Sequence, residues 1–373
     1  MTQPWIHEHP ACLAEGLAPH VGDRLRVLHV DGTEVWAGRD LTLLHSTDGG
    51  VSFQERGHVP GRLAQRLLCR TELTTRLFRT GFHAVAPLPG GALVALVRGA
   101  VLHLPAGGHE FQLAHSIQRG KRPLNLCVHP SGRVYFGEYF RNGFRRAVRM
   151  YGSDDGCSFH VVGTFKRGSI RHVHAIHWDP YRAGMWVLTG DDGDEAGLWF
   201  TPDEFVTLEP VLRGAQAARA VTLFAREDGL ILPTDTPFER NYVQHFDPET
   251  GAVERLAELP GSVFHGTRSR SLYLLSTVVE RSPINTDPRP ALFASRDGDD
   301  WKLVARLRRD FPQLEALPPF LQWPTLLLPT GSTSTDTIWA SGQALARAHD
   351  RALTWSDEAL SNELFGSVER HSA

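Results

Sequence analysis

Three acidic, glycine-rich stretches constrain this chain more than any other feature: residues 46–53, 152–159 and 295–301, built around Asp48, Asp154 and Asp297. Each follows an apolar, strand-like run (residues 41–44, 148–151 and 291–294) and leads into another, so each reads as the turn of an antiparallel hairpin. A carboxylate early in such a turn can accept backbone N–H bonds from the residues just ahead of it. Glycine supplies the positive φ that the reversal needs, and a closing aromatic such as Phe53, Phe159 or Trp301 packs between neighbouring units. Weaker echoes occur at residues 106–111 and 201–205. Self-similar hairpins spaced along a chain predict a repeat architecture rather than a string of unrelated domains.

The stretches resemble Asp-box (BNR) turns, whose pattern is S-x-D-x-G-x-[ST]-[WF]. The first matches fully through Ser46, Asp48, Gly50, Ser52 and Phe53; the second has Gly152 in place of the leading serine; the third is one residue short. The resemblance implies the sialidase-like superfamily and an all-β propeller, with these turns between the third and fourth strands of each blade. It gives Asp48, Asp154 and Asp297 a structural role on the face away from the active site. Apolar runs starting near Leu25, His83, Asn125, His174, Val221, Val263 and Pro324 predict about seven four-stranded blades, with six as the alternative. Residues 1–373 are read as a single propeller domain with insertions near 61–79 and 308–322. The last unit is short of a strand, and residues before Arg24 are expected to supply it, which removes an exposed sheet edge.

With 373 residues, 41% of them hydrophobic, the chain has ample material for a large core. A formal charge of -3 gives no electrostatic reason to expect nucleic acid as a partner. No run approaches the ~20 apolar residues of a membrane span. The first ten residues lack a basic and then apolar leader, and the four cysteines show no paired spacing, so a soluble, cytoplasmic protein is expected.

In a propeller, the loops entering inner strands and those leaving second strands share one face around the channel mouth. The entering loops carry Arg122, Arg171 with His172 and His174, and His265; the leaving loops carry Glu138, Tyr139 and Arg141, then Asp191, then Asp235, Arg240 and Tyr242, then Glu280. Charged and aromatic residues presented by loops on a rigid scaffold are where binding and catalysis usually lie. His172 and His174 alternate on a strand and so share a side. They suit proton transfer or substrate binding; they could also ligate a divalent metal, although no cofactor is expected. An acid at the end of successive second strands (Asp191, Asp235, Glu280) is the most suggestive pattern.

The superfamily resemblance implies a carbohydrate-active protein, a glycoside hydrolase acting on an acidic glycan. Its chemistry would use an arginine set for the substrate carboxylate, a tyrosine activated by a glutamate, and an aspartate acid. Glu138, Tyr139, His172, His174, Asp191 and Asp235 are the catalytic candidates. Arg122, Arg141, Arg171, Arg240, Tyr242, His265 and Glu280 are the substrate-binding candidates. Seven-bladed polysaccharide lyases offer an alternative in which His and Tyr move protons beside an arginine-neutralised carboxylate. A non-catalytic propeller binding a glycan or a protein is the third reading.

Overall fold

The computed structural model describes residues 14–61, 74, 76, 80–280, 282–310 and 322–366. Runs of Val, Leu, Ile and aromatic residues punctuated by glycine turns fold as antiparallel meanders, as their period and turn chemistry dictate. Four successive meanders are separate four-stranded sheets. The first runs from Phe82–Pro87 to Gln112–Ser116, the second from Cys127–Val128 to His160–Phe165, the third from His172–Asp179 to Glu209–Arg213, and the fourth from Phe224–Arg226 to Val253–Leu259. A fifth joins His20–Val21 to Ala352–Ser356, Thr337–Gln343 and Thr325–Leu327.

The remaining ten strands form one continuous sheet. The expectation of seven, or six, separate four-stranded blades is therefore corrected to five such blades in an all-β propeller. The cause is Thr330–Thr333, which pairs in parallel with Arg26–Gly32 on one side and with Val263–Arg268 on the other. Its ladder joins two meanders that the sequence presents as separate repeats. Ala14–Gly16 completes the far edge of this sheet against Trp301–Leu307.

The core is distributed between sheets. Val94, Leu96 and Val101 meet Val134, Phe136 and Tyr151; Val148 and Met150 meet Ile176 and Val187; Leu188 and Leu198 meet Leu230 and Phe246. Each such side chain contributes roughly 1.5–3 kcal/mol on burial. Every sheet is thus held by both neighbours, and the first strands of the sheets are fixed around a central cavity of about 340 Å³.

The acidic turns depart from a uniform Asp-box geometry. Asp48 accepts the N–H and hydroxyl of Ser52, at 2.9 and 2.6 Å, and the Ser46 hydroxyl at 2.6 Å. Asp203 repeats this with Thr207 and Thr201. In the second stretch the turn is closed by Asp155 rather than the expected Asp154: Asp155 accepts from the N–H of Cys157 at 2.8 Å, whereas Asp154 is exposed and paired with Arg133 at 2.9 Å. Asp297 closes an equally short loop onto the N–H groups of Asp299 and Asp300. Two stretches therefore bond four residues ahead and two bond only two or three ahead. The proposed insertions near 61–79 and 308–322 lie for the most part outside the described residues.

Candidate functional site

A dense polar cluster grows from one bulged strand. In the ladder between His172–Asp179 and Gly184–Gly190 the register shifts between Val173 and Ala175, leaving His174 as the extra residue. Such a bulge re-aims its side chain. The same one-residue shift recurs at Leu28, His83 and Phe264 in other first strands. Gly190 lies opposite His172, so Asp191 emerges beside both rings. A Cβ on Gly190 would fall 2.3 Å from His174 Cε1, so the close approach requires glycine there.

Asp191 Oδ1 lies 3.2 Å from His172 Nε2 and 3.2 Å from His174 Nε2, and the two Nε2 atoms are 3.2 Å apart. His172 Nδ1 faces the Phe140 carbonyl at 3.1 Å, and His174 Nδ1 faces the Ala220 carbonyl at 2.8 Å. Arg171 donates to Asp191 Oδ2 at 2.8 Å. Arg219 links two acids, 3.4 Å from Asp191 Oδ1 and 3.4 Å from Asp235 Oδ2. His172, His174 and Asp191 are the group, among the described residues, whose donor atoms are placed to hold a metal ion.

Burial works against the Asp191 charge, but the adjacent His172 and His174 rings outweigh it and hold the carboxyl well below the usual carboxylate range. Burial pushes Asp235 up to about 7 against the pull of Arg219, with the Glu280 charge adding to the rise. Glu280 is itself raised by burial. The Tyr139 phenol is raised by burial and then by the charges of Asp191, Asp235 and Glu280, so it stays protonated. Its ring packs against His172 in a tilted arrangement, with centroids 4.3 Å apart and planes inclined by 44°.

Tyr139 also borders a pocket of about 530 Å³ at the channel mouth. Its walls carry Arg26, Arg98, Lys121, Arg122 and Arg141, together with His83, His265 and Trp323; Glu280 is the single carboxylate among the described lining residues. His83 Nδ1 lies 3.1 Å from Arg122 Nη1 and 3.4 Å from Arg26 Nη1. A guanidinium only donates, so this nitrogen accepts. Burial, followed by the charges of Arg26 and Arg122, pushes His265 down to about 3 and keeps it neutral.

The sequence candidates thus fall into three groups. His172, His174, Asp191, Asp235, Arg171 and Tyr139 come together in the cluster. Arg122, Arg141, His265 and Glu280, again with Tyr139, line the pocket. The others lie apart from both. Glu138 is buried, ion-paired with Arg119 and bonded to the Arg149 N–H at 2.8 Å. Arg240 is exposed and pairs with Glu258, and Tyr242 lies under Arg255 at 4.3 Å. Sequence reasoning missed Arg219, Arg26, Arg98 and Lys121. The available signal was position: Arg219, like Arg171, lies in a loop entering the first strand of a sheet.

Fold and site together define a β-propeller with a cationic pocket beside a histidine–carboxylate cluster. No family model matches the chain, and no curated protein matches it. Similar solved structures include an oligogalacturonate lyase in complex with manganese (12% identity, TM-score 0.56, covering 93% of this chain and 98% of that one). A xyloglucanase of glycoside hydrolase family 74 from Xanthomonas campestris is 18% identical, with a TM-score of 0.52 over 78% of this chain. This chain spans 46% of that enzyme's length. A chain of the mitotic checkpoint complex has the same TM-score as the xyloglucanase, 0.52, at 10% identity, with 95% of this chain and 96% of that one covered. At these identities the likeness is one of fold. No helix among the described residues is long and apolar enough to cross a membrane.

Proposed function

We propose that this propeller binds a carboxylated sugar at the channel mouth and acts on it by elimination rather than hydrolysis. The observation that carries the reading is the pocket wall: among the described residues, four arginines and a lysine converge on one cavity against a single carboxylate. Guanidinium groups bind carboxylates through paired, charge-assisted hydrogen bonds. The similar folds of a xyloglucanase and an oligogalacturonate lyase support a sugar as ligand, and the second name describes cleavage of a carboxylated one.

Hydrolysis by paired carboxyls requires two of them flanking the scissile bond, about 5–9.5 Å apart. Here Asp191 and Asp235 share Arg219 and lie on either side of the His174 ring, and Glu138 is locked to Arg119. Elimination uses what the pocket offers. Arg122 and Arg141 neutralise the sugar carboxylate and so acidify the adjacent C–H. Neutral His265 takes that proton, its basicity rising once the sugar carboxylate offsets Arg26 and Arg122. The electron pair forms the C=C bond, the glycosidic C–O bond breaks, and the Tyr139 hydroxyl protonates the leaving oxygen.

The test is incubation of the full chain with oligogalacturonate, sialyllactose and neutral gluco-oligosaccharides. Calorimetry reads binding, ultraviolet absorbance reads an unsaturated uronate, and a reducing-end assay reads cleavage. Binding of an acidic sugar with growing absorbance is expected. Reducing ends without absorbance would replace elimination with hydrolysis, and failure to bind any acidic sugar would overturn the reading.

A further inference from the structure

We propose that His172, His174 and Asp191 form a binding site for a divalent transition-metal ion. The two Nε2 atoms and Asp191 Oδ1 make a triangle with every edge 3.2 Å. An ion held at about 2.0–2.1 Å in a tetrahedral site sets its donors about 3.3–3.4 Å apart; an octahedral face at about 2.2 Å sets them about 3.1 Å apart. The observed edge lies between these values.

The ring chemistry points the same way. A backbone carbonyl can only accept, so the Nδ1 atoms facing Phe140 O and Ala220 O both carry the hydrogen. In the neutral rings both Nε2 atoms then present lone pairs, to each other and to a carboxylate oxygen. Three acceptors at this separation repel unless a cation lies among them. Imidazoles that bind metals are oriented in this way, by donating the other ring N–H to a carbonyl, and ligating carboxylates are themselves held by a hydrogen bond. Arg171 supplies that bond to Asp191 Oδ2 at 2.8 Å.

Two imidazoles with one carboxylate favour an ion of the zinc, manganese, iron or cobalt kind over magnesium or calcium, which prefer all-oxygen shells. Three protein ligands leave a coordination position open. Tyr139 both packs against His172 and lines the cationic pocket, so an ion here borders the space assigned to the sugar. Metal uptake is nevertheless independent of the sugar reading and of any turnover.

The experiment titrates full-length, chelator-stripped protein with Co²⁺ and with Zn²⁺, read by elemental analysis, calorimetry and the cobalt d–d absorption. Uptake of one ion per chain, unmoved by excess Mg²⁺, is expected from the wild type. His172→Gln and Asp191→Asn are each expected to abolish it. Circular dichroism of the metal-free variants establishes that they fold; if Asp191→Asn does not, His172→Gln decides. No uptake by the wild type, or undiminished uptake by a folded His172→Gln variant, overturns the site. Displacement of Co²⁺ by an equal concentration of Mg²⁺ overturns the transition-metal assignment.

Discussion

Asp48 and Asp191 are both held ionised, by opposite means. Asp48 is exposed, and its partners, the Ser46 hydroxyl and the N–H and hydroxyl of Ser52, all lie within four residues of it. Asp191 is largely buried, and its side-chain partners are His172, His174, Arg171 and Arg219, brought from another strand and two loops. A local device stabilises its own turn and little else. A convergent one couples several elements, so removing it deprives the nearly buried Arg219 of a counter-charge.

The sharpest test of that contrast is a pair of substitutions. Asp191→Ala leaves Arg219, which is 5% exposed, bonded to Asp235 but without its second acid. A loss of about 3–5 kcal/mol is expected from urea unfolding, as for breaking a buried ion pair. Asp48→Ala is expected to cost far less; an equal or larger loss would break the comparison. Next in size is Gly190→Ala, whose methyl would press on the His174 ring. Overpacking of this kind costs about 1–3 kcal/mol, seen as a lowered thermal midpoint.

Two further predictions concern the pocket. Arg122→Ala is expected to weaken binding of a carboxylated sugar by about 10- to 100-fold, the worth of a charged hydrogen bond of about 1.5–3 kcal/mol. Calorimetry with a neutral sugar should register no change. The smallest expected effect is a pH trend. Glu280 is held by burial above the ordinary glutamate range, so it is neutral at low pH and gains charge only as pH rises through that raised value. Above the range in which the sugar itself ionises, affinity should therefore decline with rising pH. Glu280→Gln should flatten the decline, and a slope unchanged in that variant would remove Glu280 from the pocket's electrostatics.

Legibility from sequence follows the same division. The Ser46–Asp48–Ser52 turn is legible because its partners are near in the chain, whereas in the 152–159 stretch the pattern points to Asp154 and the turn is closed by Asp155. Two adjacent acids carry no local mark of which one closes the turn. Simple alternation puts His172 and His174 on one side, although a bulge at His174 also shapes the strand there. Arg219 carries no motif, and its importance comes from two acids contributed by separate loops. The ten-stranded sheet was hidden for a comparable reason. Thr330–Thr333 is polar and short, with none of the alternation that marks a strand, and its contact with His29 spans 301 residues.

The two N-terminal strands have a consequence for the order in which the molecule is made. Ala14–Gly16 pairs with Trp301–Leu307, and His20–Val21 pairs with Ala352–Ser356. At roughly 5–20 residues per second, a ribosome delivers those partners about a quarter of a minute to a minute after the first strands emerge. Through that interval the nascent chain carries unsatisfied strand edges, the form in which β proteins aggregate. Production of this protein should therefore depend on chaperone capacity, and on translation speed, more than the stability of the finished ring would suggest.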